Sequence, residues 1–103
     1  MTLTRAYKET VLNRIRSDAG FARALYVEAV NALLDGENEE GLSMLRDLVN
    51  AKISFKELAK QTGYGEKSLH RMLSRRGNPT SRSLFTVTHV ISRDLGLRLK
   101  VAV

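Results

Sequence analysis

Residues 54–74, SFKELAKQTGYGEKSLHRMLS, hold two short runs of helical apolar spacing on either side of a Gly63-Tyr64-Gly65 break. In the first, Ser54 followed three residues later by Glu57 is the pattern of a capping box, and Phe55, Leu58 and Ala59 face inward. Gly63 ends that run, because a left-handed turn costs glycine least. The second run extends from about Glu66 to Ser74 and buries Leu69, Met72 and Leu73 beneath Tyr64. Two helices that cross steeply through a three- or four-residue turn need a small residue at the crossing, and Ala59 supplies it. Together these spacings are those of a helix-turn-helix.

With Leu69, Met72 and Leu73 inside, the outer face of the second helix carries Glu66, Lys67, His70, Arg71 and Ser74. Lys67 and Arg71 can donate to guanine O6 and N7, Glu66 can accept from cytosine N4, and His70 can serve a base or a phosphate. Glu66 also complements the helix dipole, which is its ordinary role in a first turn. Arg75, Arg76, Asn78, Thr80 and Arg82 follow in a loop holding the only proline, Pro79, and are expected to contact phosphates. Gly65 has no side chain to cap the helix, which leaves N–H groups free to face a phosphate.

Charge is distributed in keeping with that surface. Eight basic residues (Lys52, Lys56, Lys60, Lys67, Arg71, Arg75, Arg76 and Arg82) against Glu57 and Glu66 carry the whole formal net charge of +6. The preceding segment reverses sign, with Glu28, Asp35, Glu37, Glu39, Glu40 and Asp47 facing only Arg46. A basic run by itself is more often a solvated helix face, so its coincidence with the motif is what matters.

The 103 residues predict one all-α domain, 1–103: a compact helical bundle containing the helix-turn-helix and ending in a short β-strand. N-terminal helices are expected over 4–35, the first capped by Thr4 with Tyr7, Val11, Leu12 and Ile15 on one stripe. Asp18 caps the second, whose inner face is Phe21, Leu25, Val30, Leu33 and Leu34. A third begins at the acidic run ENEE and continues through Leu42, Leu45, Leu48 and Val49 to about Lys52. Ser81 or Ser83 caps the last, with Leu84, Val87, Ile91 and Leu95 inward and Gly96 closing it. The alternation of LRLKVAV predicts a strand over 97–103. Strand edges need partners. Residues 1–4 are one candidate, and a second copy of the chain is the better one, placing Leu97, Leu99, Val101 and Val103 in a homodimer interface. Two reading helices about 34 to 36 Å apart would then suit a palindromic operator.

The stretch LAKQTGYGEKSLHRMLSRRGNPT, with NALLDGENEEGLSMLRDLVNA before it and LGLRL after it, resembles Xre-like helix-turn-helix regulators. More narrowly, it is similar to HigA-type antidote proteins encoded beside small RelE-like toxins, over roughly residues 21–99. The resemblance implies a double-stranded DNA-binding repressor of its own operon, with a RelE-like toxin as a possible partner. A stand-alone regulator and a module that mainly neutralises a toxin are the alternatives. The basic first helix, with Arg5, Lys8, Arg14 and Arg16, departs from the family and is a candidate partner surface.

Reactive groups are sparse. There is no cysteine, and His70 and His89 lack any metal-binding spacing, so neither a metal site nor a cofactor is expected. Ser68 and His70 fall on different helical faces, GYGEKS matches neither the P-loop nor the dinucleotide fingerprint, and Tyr64 reads as a turn residue. We therefore expect no enzyme. No apolar stretch approaches bilayer-spanning length and none resembles a signal peptide, which makes the cytoplasm the expected compartment.

Overall fold

Thr4 adopts an extended backbone and its hydroxyl accepts the N–H of Tyr7 at 3.1 Å, which starts α1 (Arg5–Ser17). The computed structural model describes residues 4–103. Asp18 closes α1 and caps α2 (Ala19–Leu34), its carboxylate accepting the Phe21 N–H at 3.0 Å. Then follow α3 (Asn38–Leu48), α4 (Phe55–Thr62), α5 (Glu66–Met72) and α6 (Ser81–Leu95). The Cα radius of gyration is 12.9 Å, the value of a folded globule of about 100 residues. All six helices contribute to one core, in which Ile15, Leu45, Leu48, Leu58, Leu69, Leu73 and Ile91 are fully buried.

Four of the five residues expected on the inner face of α2 pack against the core, but the deepest positions are others. Ala22, Tyr26, Ala29 and Ala32 are buried, whereas Phe21, Leu25, Val30 and Leu33 are only half-buried and Leu34 is exposed. The reason is a close approach by α3. A Cβ on Gly41 would lie 2.6 Å from Leu33 Cγ and 3.1 Å from the Ala29 carbonyl oxygen, so small residues occupy both sides of the contact. Tyr26 fills the remaining depth and donates its hydroxyl to the Thr88 carbonyl of α6 at 3.1 Å. Burial pushes its phenol pKa up.

α3 also ends earlier than its apolar spacing suggests. Residues Val49–Ile53 form a π-helical turn, closed by the Ser54 N–H donating to Val49 O at 2.7 Å. Ser54 then takes φ 85° and ψ 149°, a region nearly reserved for glycine and costing about 1–3 kcal/mol. Its hydroxyl accepts the Glu57 N–H at 3.1 Å and starts α4. Only that half of the expected capping box forms, because the π turn already takes the Ser54 N–H. At the far end Gly63, at φ 79°, turns the chain as its residue type predicts.

Residues 97–103 do not form a strand. The Leu97 N–H donates to Ser92 O at 2.9 Å, and beyond that point no ladder is made. An extended segment is held by pairing of its backbone groups, and no other described segment pairs with this one. Of the candidate partner at residues 1–4, positions 1–3 lie outside the described residues, and Thr4 is the cap of α1. Leu97 packs partly against the core, while Leu99, Val101 and Val103 are exposed. Among the described residues no helix is long and apolar enough to cross a membrane.

Candidate nucleic-acid interface

Seven residues of α5 present two opposite faces. Leu69 and Leu73 are fully buried, and Met72 packs against the same core. Glu66, Lys67, His70 and Arg71 are exposed together on the outer side. α5 is joined to α4 by Gly63, Tyr64 and Gly65, and the two helices pack on each other. Tyr64 packs against the core at the turn, and the nearby hydroxyls of Ser83 and, less strongly, Thr86 in α6 hold its phenol pKa below the ordinary value. Gly65 occupies the N-cap of α5 and makes no side-chain cap.

The expected contact residues divide into two groups. Lys67, Arg71, Arg76 and Arg82 make no ion pair among the described residues, and Asn78 is exposed. Arg82 stands in the first turn of α6, where a positive charge opposes the helix dipole at a cost of about 0.3–1 kcal/mol. An anion bound there would reverse that cost. Ser74, Thr80, His70 and Arg75 each have a partner within the chain. Ser74 donates its hydroxyl to Arg71 O at 2.8 Å, and Thr80 caps α6 by accepting the Ser83 N–H at 3.1 Å, a role expected of Ser81 or Ser83. His70 lies flat on Phe55, with ring centroids 3.8 Å apart and planes 19° from parallel. One ring face is therefore covered, although the side chain remains exposed.

Arg75 Nε sits 3.4 Å from Glu39 Oε2 at the start of α3. With the side chains 73% and 57% exposed, such a pair contributes at most about 1 kcal/mol. A phosphate could displace Glu39 at little cost.

Two supporting residues carry no motif signal. Arg46 reaches from α3 to donate to Leu73 O at 3.1 Å, satisfying an end carbonyl of α5, and contacts Ser43 Oγ at 3.4 Å. In the sequence it is merely the one base in an acidic segment. Gly77 lies against the end of α5, where a Cβ would fall 2.1 Å from Met72 O and 2.8 Å from Arg71 O. Its N–H donates to Ser74 O at 2.9 Å, folding the basic loop onto the helix. The GNP triplet signals a turn but not this approach.

Among the described residues no group of three or more His, Cys, Asp or Glu side chains could hold a metal ion. In comparisons with known proteins, no family model, no curated protein and no solved structure matches the chain.

Proposed function

We propose that this protein is a sequence-specific reader of double-stranded DNA, with α4 and α5 as its helix-turn-helix, acting as a transcriptional repressor. The observation that carries the reading is the outer face of α5. Lys67 and Arg71 stand there exposed and without ion pairs, on a helix whose other side is fully buried at Leu69 and Leu73. An exposed basic helix of this kind fits the major groove, where arginine and lysine donate to guanine. Glu66 and the free edge of His70 complete the base-facing set. Arg75, Arg76, Asn78 and Arg82 are assigned to phosphates, with Ser74 and Thr80 reduced to supporting them.

The antidote role rests on the family resemblance. One structural feature favours a partner surface of that kind. A cleft of about 540 Å³, lined by Tyr7, Leu25, Glu39, Met44 and Arg75 among others, opens between α1, α2 and α3. Tyr7 is 55% exposed there, although the stripe of α1 to which it belongs completes the core at Ile15.

A titration of duplex binding against salt separates the two surfaces. Arg76→Ala and Arg82→Ala are each expected to lower the slope of log K against log salt by about one unit. Tyr7→Ala should leave the slope unchanged and weaken relief of growth arrest when a RelE-like toxin is co-expressed. Unchanged slopes in both arginine variants remove the loop from the interface. Growth arrest that the intact chain cannot relieve removes the antidote role and leaves a stand-alone regulator.

A further inference from the structure

An open groove of about 760 Å³ lies between α2 and α6, inside the range of about 300–1,000 Å³ usual for small-molecule sites. The two helices run antiparallel: Arg23 Nε of α2 donates to Leu95 O at the end of α6 at 3.1 Å, whereas the Tyr26 hydroxyl donates to Thr88 O, farther back in α6, at 3.1 Å. Leu33 and Leu34, at the end of α2, therefore share one end of the groove with Leu84 and Phe85, at the start of α6. That end is apolar. Phe85, His89 and Arg93 all line the groove and follow one another at four-residue spacing, hence on one face of α6. Gly96, at φ 66°, then turns the chain so that Leu97, Arg98 and Leu99 line it as well. The far end is thus basic. No Asp or Glu lines the groove, and neither Arg93 nor Arg98 makes an ion pair among the described residues. None of Glu66, Lys67, Arg71, Arg76 and Arg82 lines it.

We propose that this groove binds a single-chain aliphatic carboxylate, with its chain on Leu33, Leu84 and Phe85 and its headgroup on Arg93 and Arg98. Charge supports that occupant. A guanidinium gives two parallel hydrogen bonds to a carboxylate, and two unpaired guanidinium groups stand at one end of an otherwise apolar hollow. Length supports it as well. From Phe85 to Arg93 the helix advances about 12 Å, which an extended chain of about ten carbons spans. Leu34 and Phe85, each 70% exposed, would lose part of that exposure to the bound chain. Binding here uses no residue assigned to DNA, and it stands or falls independently of duplex reading.

The basic end coincides with the C-terminus of α6, where free carbonyls ordinarily disfavour an anion. Here that opposition is reduced. The Ser92 and Arg93 carbonyls accept the N–H groups of Leu97 and Gly96 at 2.9 and 3.1 Å, and the Leu95 carbonyl accepts Arg23 Nε. The positive charge of Arg93 and Arg98 is then the nearer influence on a headgroup in the groove.

Titration calorimetry of the full chain with decanoate, octanoate and 1-decanol tests this. Decanoate should bind once per chain with a dissociation constant on the order of 10–100 µM. Octanoate should bind roughly 4- to 15-fold more weakly, because each buried methylene is worth a factor of about 4. The double variant Arg93→Gln, Arg98→Gln should weaken decanoate by about 10-fold and leave 1-decanol unchanged. Phe85→Asp should weaken both ligands. All three substituted positions are exposed, so the helical circular dichroism of each variant should match that of the wild type. Absence of saturable decanoate binding below about 1 mM overturns the proposal and leaves the groove to a protein partner. Uptake of many decanoates per chain marks adsorption and overturns it too. So does a double arginine variant that binds decanoate as the wild type does, or a Phe85→Asp protein that binds both ligands undiminished.

Discussion

Replacing Gly77 by alanine is expected to destabilise the protein by about 3 kcal/mol or more, because the added methyl group meets backbone rather than a movable side chain. The Cβ would stand 2.1 Å from the Met72 carbonyl oxygen and 2.8 Å from that of Arg71. Either the last turn of α5 or the loop carrying Arg75 and Arg76 must shift. For a domain of this size each kcal/mol moves the melting temperature by roughly 4–8 °C, so thermal unfolding followed by circular dichroism should show a fall of more than about 10 °C. Asn78→Ala, at an exposed neighbour, should change it by little. A Gly77→Ala melt close to that of the wild type would mean that the loop does not lie against α5 as described. On the proposed function, duplex binding should fall along with stability, since the same glycine holds the basic loop over α5.

Arg71→Ala and Lys67→Ala are expected to act in the opposite way, on binding and not on stability. Both side chains are exposed on α5 and neither forms an ion pair among the described residues, so their removal leaves the core untouched. Each should cost about 1–3 kcal/mol on a cognate duplex and much less on random DNA. The residues lie four apart, hence on one helical face, and their losses need not add. The double variant should therefore retain weak, salt-sensitive binding while losing preference among sequences. Equal losses on cognate and random duplexes would reassign both residues to phosphates.

Helix positions and inner faces were well marked in the sequence wherever large apolar residues and polar caps coincided. Thr4 and Asp18 cap α1 and α2, Gly63 turns between α4 and α5, and Leu69 and Leu73 are buried as their spacing implies. Close backbone approach was not marked, because small residues contribute little to an apolar pattern. Ala29 and Gly41 form the close α2–α3 approach; of the five residues expected on the inner face of α2, Phe21, Leu25, Val30 and Leu33 pack half-buried against the core and only Leu34 is exposed. Alternation over residues 97–103 is a local property, whereas a strand depends on a neighbour that local pattern cannot supply. Within the candidate site, residue type and spacing located the exposed face of α5. They could not reveal that Thr80 and Ser74 spend their hydroxyls locally, that His70 rests on Phe55, or that Arg46 closes the end of α5. The first two are local contacts three positions apart, which compete with any outside partner; the last two join residues brought together by the chain's return, with Arg46 and Leu73 separated by 27 positions.

Selection of the intact protein against a pool of random duplexes, followed by titration of the enriched sequences, addresses duplex reading itself. At low salt, about 0.05 M, where phosphate contacts are strongest, a shared sequence should emerge and bind at least about 10³-fold more tightly than unselected DNA. The Arg71→Ala protein should lose most of that margin. A pool that stays unenriched through repeated rounds, with no retention of duplex even at that salt, would rule out duplex reading by α5.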